Sequence, residues 1–129
     1  MYFLMSIKPR YAEAILCGRK SVEIRRVHFR AAQGDIVLIY ATKPVGSIIG
    51  YFSIDSIHFE DIDRIWATYG DKTGLSYTEY RKYVEGCKRA CAIVVSKSHS
   101  VSGKKLADIH LRIPQSYMKV SENDFLSLI

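Results

Sequence analysis

The segment from residue 18 to residue 26 reads GRKSVEIRR, and its pattern is the most informative in the chain. Apolar and polar residues alternate over residues 21–26, which predicts a half-buried strand. Because the side chains of a strand alternate with a period of two, Glu23 and Arg25 lie on the same face, which we expect to be exposed. Lys20 has the opposite parity, so it can join them only from the preceding turn.

Lys20, Glu23 and Arg25 together offer groups that suit a polar ligand. The two cations match phosphate or carbonyl oxygens, and the carboxylate matches an amino or hydroxyl group. The same side chains could instead form an ion pair on the surface, which contributes only ~0–1 kcal/mol to stability. The pattern alone leaves both interpretations open.

Hydrophobic periodicity and turn residues divide the rest of the chain into short elements. Strands are predicted at residues 2–7, 36–42, 48–59 and 89–96, with a bulge where the apolar set of the third changes face after Ile54. Helices are predicted at residues 9–17, 62–69 and 122–129 and between Ser76 and Gly86. Their N-caps are predicted at Ser76 and Ser121, and three helices are expected to end at Gly18, Gly70 and Gly86. Residues 98–105 are polar, which predicts a mobile loop, and residues 114–120 start extended.

The order of these elements indicates the fold class. A chain of 129 residues has the usual size of one domain, which we place at residues 1–129. Short strands, hairpin-length links and few helices predict an α+β fold with a mostly antiparallel, barrel-like sheet and peripheral helices. The βαβ links that parallel pairing requires are largely missing.

The distribution of charge favours an anionic partner. The chain carries a formal net charge of +6 and has a pI of about 9.3. Basic residues concentrate at residues 8–30 and 97–105, whereas residues 55–71 are acidic. Segregated positive charge attracts phosphates, so RNA or a nucleotide is the expected partner. The residues that we expect to track a nucleic-acid backbone are Arg26, Arg30, Lys104 and Lys105.

Several other classes of protein are disfavoured. No apolar stretch approaches the ~20 residues of a membrane span, and the N-terminus lacks the basic leader of a signal peptide. The three cysteines are an odd number, which favours reduced thiols in the cytoplasm, where we expect them to be small buried side chains. We expect no membrane contact and a cytoplasmic location.

No other motif points to a cofactor or a metal. Cys87 and Cys91 lack a second pair, and the histidines at positions 28, 58, 99 and 110 are scattered. Neither a nucleophile elbow nor a glycine-rich phosphate loop occurs. Aromatic residues 66, 69, 77 and 80 fall at helical spacing, which predicts helix packing. Tyr11 and Tyr40 are the better candidates for base stacking, because they are close to the basic motif.

A longer pattern resembles the ASCH domain family. It consists of SIKPxYAxxI at residues 6–15 followed by GxKxxExR at residues 18–25, and GDIVLIYAT at residues 34–42, IIGYF at 48–52 and PQSY at 114–117 are similar to later segments of that family. The resemblance implies a PUA-like β-barrel with peripheral helices, found in RNA-associated proteins. It also implies a cleft lined by Lys20, Glu23 and Arg25. The neighbouring ligand-binding residues would be Ser6, Lys8, Tyr11, Tyr40 and Thr42.

The resemblance leaves more than one function open. The leading hypothesis is binding of RNA or a modified nucleotide. One branch of the family consists of small amidohydrolases that act on acylated cytidine, but their nucleophilic threonine is Glu23 here, a poor substitute. A hydrolase of this kind, or a metal-independent ribonuclease with Lys20 and Glu23 as catalytic residues, is the alternative. A regulatory protein-interaction domain is the third hypothesis.

Overall fold

The computed structural model describes residues 1–109 and 111–129. Its strands are β1 (Tyr2–Ile7), β2 (Val22–Arg25), β3 (Ile36–Ala41), β4 (Ser47–Asp61), β5 (Arg89–Lys104) and β6 (Tyr117–Val120). Its α-helices are α1 (Pro9–Leu16), α2 (Ile62–Tyr69), α3 (Tyr77–Tyr83) and α4 (Glu122–Leu128), with 3-10 turns at Gly70–Lys72 and Leu106–Ile109. The predicted order of strands and helices is confirmed.

The six strands form one mixed sheet in the order β2-β5-β4-β3-β1-β6. Strands β1 and β3 are parallel, and the other neighbouring pairs are antiparallel. The prediction of a barrel was therefore wrong, because β2 and β6 remain at opposite ends of the sheet. Parallel pairing was missed because α1 and β2 together carry the chain from β1 to the far edge and back. That crossover is not a simple βαβ unit.

The pairing of β4 with β5 is the longest in the sheet, and it bears on two predictions made from the sequence, the bulge and the mobile loop. Its register shifts between Ile54 and Ser56, which confirms the predicted bulge. The expectation of a mobile loop at residues 98–105 was wrong, because Ser100 pairs with Gly50 and Lys104 with Ile48. Strand β2 covers only residues 91–94 of β5, so the polar remainder is an edge whose side chains face water.

The core holds α1 and α4 against opposite faces of the sheet. Ala12 and Ile15 of α1 are buried in one cluster, and Phe125 and Leu128 of α4 are buried in another. The approach of α1 depends on Gly50, where a Cβ atom would lie 2.5 Å from a methyl group of Leu16. The helix thus brings the turn at residues 17–21 onto the sheet beside β2.

The helix ends mostly follow the sequence signals. Ser76 and Glu79 form the predicted capping box, and Ser121 accepts a hydrogen bond from the backbone N–H of Asp124. Gly70 is the C-cap of α2, as predicted, but its φ is −51° rather than left-handed, and the chain passes directly into a 3-10 turn. The glycine is required for packing instead, since a Cβ there would lie 2.7 Å from the ring of Trp66.

The aromatic and cysteine predictions hold in part. The rings of Trp66 and Tyr80 pack 4.9 Å apart between α2 and α3, which confirms their role in helix packing. The cysteines were expected to be buried, but only Cys91 is, whereas Cys17 is exposed and Cys87 is half-buried. Within the described residues, no helix is both long and apolar enough to cross a membrane.

Candidate functional site

The turn after α1 and the strand β2 bring the three predicted residues together. The backbone N–H of Lys20 donates to the carbonyl of Ala14 at 3.0 Å, and that of Ser21 donates to Lys72 at 3.0 Å. These bonds fix the turn, so that Lys20 joins Glu23 and Arg25 from just before the strand. This is the arrangement that the strand parity requires.

The three side chains form a continuous charged network. Lys20 Nζ lies 3.4 Å from Glu23 Oε1, and Arg25 Nη1 lies 3.1 Å from Glu23 Oε2. The exposed fractions of the side chains of Lys20, Glu23 and Arg25 are 1%, 6% and 15%. The interpretation as an ion pair on an exposed face was therefore wrong. Each carboxylate oxygen is paired with a cation, and the network carries a net charge of +1.

The surroundings of Lys20 change its acidity. Its ammonium group donates to the carbonyl of Thr73 and lies 5.2 Å from the ring centroid of Tyr11. Burial lowers the pKa of Lys20, and the neighbouring Glu23 opposes that shift without cancelling it. At a given pH, a larger fraction of Lys20 is therefore in the neutral amine form than is the case for an exposed lysine.

Arg25 connects β2 to two distant segments. Its guanidinium donates to the carbonyl of Ser6 at 3.3 Å and to Ser116 Oγ at 2.8 Å. The hydroxyl of Ser6 in turn donates to the carbonyl of Pro114 at 2.6 Å. Arg25 thus holds the segment that precedes β6 against the end of β1, and these segments form one wall of a pocket.

An open pocket of about 290 Å³ lies above the network, and we call it the cleft pocket. Its lining residues are Ser6, Ile7, Lys8, Tyr11, Lys20, Glu23, Ile24, Arg25, Thr42, Leu75, Tyr83 and Gln115. All of the predicted ligand-binding residues line it except Tyr40. That side chain is 4% exposed and packs with Leu4, Leu38 and Ile48 on the other side of the sheet.

Some residues at the cleft pocket were missed by sequence reasoning. Tyr83 of α3 was not among the predicted site residues, but it is 39% exposed and lines the cleft pocket. Burial raises the pKa of Tyr83, and the nearby Arg25 acts in the opposite direction. Thr73 and Ser116 contribute through bonds to Lys20 and Arg25. No local pattern marks these positions, because only the folded chain brings α3 and residues 73 and 116 to β2.

The four predicted backbone-tracking cations separate into two groups. Arg26 Nη2 donates to the carbonyl of Glu85 at 3.1 Å beside the cleft pocket, and Arg30 is exposed farther along the β2–β3 loop. Lys104 Nζ donates to the carbonyl of Ser127 at 2.8 Å, at the C-terminal end of α4, where a cation is favourable. Lys105 is exposed in the turn that follows β5.

The described histidines and cysteines have other surroundings than a metal site. His28 stacks on Phe59, and His58 lies within 3.0 Å of Ser56 Oγ. His110 lies outside the described residues. In residues 1–109 and 111–129, no group of three or more histidine, cysteine or acidic side chains is placed to hold a metal ion.

Two known proteins are similar in sequence to part of this chain. An "ASCH domain-containing ribonuclease" of Zymomonas mobilis is 38% identical over 92 residues, which are 71% of this chain and 62% of that protein. The large ribosomal subunit protein uL22 of Ureaplasma parvum is 33% identical over 69 residues, 54% of this chain and 22% of that protein. The chain thus spans less than two thirds of these relatives.

The fold comparison covers nearly the whole chain. The crystal structure of ASCH from Zymomonas mobilis superposes with a TM-score of 0.92 at 30% sequence identity, covering 98% of this chain and 92% of that one. The family model of the ASCH domain matches residues 5–99, which include α1, the turn at Lys20 and β2. The chain belongs to the ASCH domain family.

Proposed function

We propose that this ASCH domain binds single-stranded RNA and holds one nucleotide in the cleft pocket. The observation that carries the proposal is the buried Lys20–Glu23–Arg25 network at the floor of an open pocket. Buried ion pairs stabilise proteins weakly, because removing their charges from water offsets their attraction. A desolvated cationic network facing an opening is instead typical of a site that binds an anion or a polar group.

The remaining hydrogen-bonding capacity of the network matches this ligand. Thr73 and Glu23 accept from two of the three donors of a charged Lys20, and three of the five donors of Arg25 have partners among the described residues. Phosphate oxygens or base carbonyls would accept from the rest. Lys8 adds an exposed cation to the lining. The positive charge therefore surrounds the place where a nucleotide would sit.

Aromatic side chains supply the second requirement of RNA recognition. Tyr11 and Tyr83 both line the cleft pocket, and a base can stack on either ring. The volume of about 290 Å³ is close to the lower end of the usual range for small-ligand sites, of the order of 300 Å³. The pocket therefore suits one nucleotide rather than a folded RNA element.

RNA cleavage is a second candidate function, favoured by the lowered pKa of Lys20. A neutral Lys20 would accept the proton of a ribose 2′-hydroxyl whose oxygen attacks the adjacent phosphorus. The bond to the 5′-oxygen would break, water would protonate that oxygen, and a 2′,3′-cyclic phosphate would remain. Arg25 would stabilise the charge on the phosphate. The Zymomonas mobilis relative named as a ribonuclease supports this candidate.

The other hypotheses gain less from the geometry. Hydrolysis of an acylated nucleoside requires a nucleophile at position 23, but both carboxylate oxygens of Glu23 are paired with cations. The same pairing disfavours Glu23 as the general base of a ribonuclease. An interaction domain would be favoured by a cleft filled with the protein's own side chains, whereas this one is open.

Binding of labelled single-stranded RNA to the wild type and to Lys20→Met/Glu23→Gln tests the proposal. This pair of substitutions removes one buried charge of each sign with little change of shape. Arg25 loses its counter-ion, so urea titration is used to check that the variant is folded under the binding conditions. We expect RNA affinity to fall at least about tenfold, since a charge-assisted contact is worth ~1.5–3 kcal/mol. The matched control is Asp63→Asn/Arg81→Met, which removes an exposed ion pair of the same charges.

Equal affinity of the wild type and the Lys20/Glu23 variant would refute RNA binding at the cleft pocket. Loss of affinity in the Asp63/Arg81 control as well would mean that surface charge, not this site, governs binding. The cleavage candidate is tested on the same samples by following RNA chain length against pH. We expect a rate that rises with pH as Lys20 deprotonates, and the same rate in Lys20→Met would rule that residue out as the base.

A further inference from the structure

Two further depressions continue from the cleft pocket around the loop between β2 and β3. The second, of about 200 Å³, shares Arg25 and Tyr83 with the cleft pocket and adds Arg26 and Tyr117. The third, of about 640 Å³, shares Arg26 and Val27 with the second. Each depression therefore lies next to the following one, because the shared residues line both. Together the three depressions form one path over the surface.

The charged side chains of the second and third depressions are all positive. Arg26, Arg30 and Arg89 all line the third depression, and among the described side chains no acidic one lines the second or the third. Arg26 is held by the carbonyl of Glu85 at 3.1 Å. Arg89 donates to the carbonyl of Phe59 at 2.6 Å and lies 4.5 Å above its ring. Both guanidinium groups are thus held in place, neither has an ion-pair partner among the described residues, and both can donate hydrogen bonds to phosphate oxygens.

Flat and apolar surfaces alternate with these arginines. His28 is stacked on Phe59 with a centroid distance of 4.9 Å and an interplanar angle of 5° in the third depression. Tyr117 lines the second depression, and Val27, which is 74% exposed, lies between the second and the third. Cations for a backbone, interleaved with flat surfaces for bases, are the combination that binds single strands.

We propose that the cleft pocket and the two depressions form a single track for an RNA strand of about three nucleotides or more, one for each depression. One nucleotide occupies the cleft pocket, and the strand passes Arg25 and Arg26 towards Arg30 and Arg89. This inference rests on the proposed function and deepens it, because it makes the ligand a polymer rather than a free nucleotide.

The dependence of affinity on RNA length tests the track. The ligands are the four nucleoside monophosphates and unstructured oligonucleotides of two to six residues. We expect the affinity to increase with each nucleotide up to about three. In Arg26→Ala/Arg30→Ala, the affinity for longer strands should fall about tenfold or more, and the negative slope of log affinity against log salt should become less steep by ~1.4. The affinity for monophosphates should stay within about twofold of the wild type.

Arg64→Ala/Lys97→Ala is the matched control, because it removes the same charge from exposed positions outside the three depressions. It should leave the length dependence unchanged. Monophosphates that bind as tightly as the longer strands would overturn the track but keep nucleotide binding at the cleft pocket. An Arg26/Arg30 variant that binds the longer strands like the wild type would also overturn it. Failure of the wild type to bind any of these ligands would refute the proposed function together with the track.

Discussion

The guanidinium of Arg25 donates a hydrogen bond of 2.8 Å to the hydroxyl of Ser116, which lies 91 positions later in the chain. The bond joins β2 at one end of the sheet to the segment before β6 at the other. A closed barrel would make this connection with backbone hydrogen bonds. Here a side chain makes it, and the cleft pocket lies beside it.

Replacing Arg25 with lysine should show whether Arg25 stabilises the fold through its hydrogen bonds or through its positive charge alone. Lysine keeps the positive charge but cannot contact Ser6, Glu23 and Ser116 at once, because it lacks the planar fork. We expect a loss of ~2 kcal/mol in the free energy of unfolding, measured by urea titration. The exposed Arg26→Lys is the control and should change stability by less than ~0.5 kcal/mol. Equal effects of the two substitutions would contradict the role of Arg25 in joining the ends of the sheet.

The substitution Glu23→Gln should destabilise the fold strongly. It leaves Lys20 and Arg25 without their shared counter-ion, and breaking a buried pair in this way costs about 3–5 kcal/mol. Adding Lys20→Met should restore part of the loss. The control Asp63→Asn breaks an exposed pair and should cost at most ~1 kcal/mol.

The effect of Glu23→Gln should also depend on pH. The pKa of Lys20 is lowered in the folded protein, so the unfolded chain binds its proton more tightly and stability rises with pH as Lys20 deprotonates. Glu23 raises that pKa, and its loss lowers it further. The destabilisation should therefore shrink as the pH increases towards 10.5, the ordinary value of lysine. A loss of stability that does not change with pH would show that Lys20 is not desolvated.

Replacing Tyr83 with alanine should weaken RNA binding without unfolding α3. The ring lines the cleft pocket, and removing one base-stacking partner costs ~1–3 kcal/mol of binding free energy. This corresponds to an affinity that is lower by about five- to 150-fold. The control is Tyr77→Ala on the same helix, whose ring is 54% exposed and does not line the cleft pocket. Similar losses from both variants would argue against stacking on Tyr83.

Replacing Tyr80 with phenylalanine should change the alkaline stability of the fold. Burial raises the pKa of Tyr80 from 10.0 to about 12, and its hydroxyl donates to the carbonyl of Ile62 at 2.6 Å. The stability that this group contributes is complete below pH 10 and is lost as the pH rises through 12. Tyr80→Phe should be less stable by ~1 kcal/mol at pH 7 and should lose less stability between pH 10 and 12. Parallel pH profiles of wild type and variant would contradict this assignment.

Local signals allowed much of the fold to be predicted. The capping box at Ser76 and the bulge after Ile54 depend on residues a few positions apart, and the structure has both. The parallel pairing of β1 with β3 depends on where α1 and β2 carry the chain, which no local pattern encodes. The edge of β5 was mistaken for a loop because exposed strand edges and loops are both polar.

At the candidate site, too, local patterns predicted some features and missed others. The parity of β2 predicted that Glu23 and Arg25 share a face and that Lys20 joins them from the turn. It also placed that face in solvent, because alternation cannot reveal that the chain around Thr73 and the ring of Tyr83 would cover it. Tyr40 shows a similar error, since its side chain lies on the opposite side of the sheet, which is covered by α4. Burial of the charged residues is therefore a property of the tertiary structure.

Mapping a nucleotide by NMR is the most direct test of the claim that the cleft pocket binds RNA. The measurement follows backbone amide shifts of the wild-type protein while the four nucleoside monophosphates are added in turn. We expect at least one of them to shift Lys8, Lys20, Thr42 and Leu75 together, because these residues line the pocket from different elements. Saturable shifts confined to other surfaces, or none with any nucleotide, would contradict RNA binding at this site.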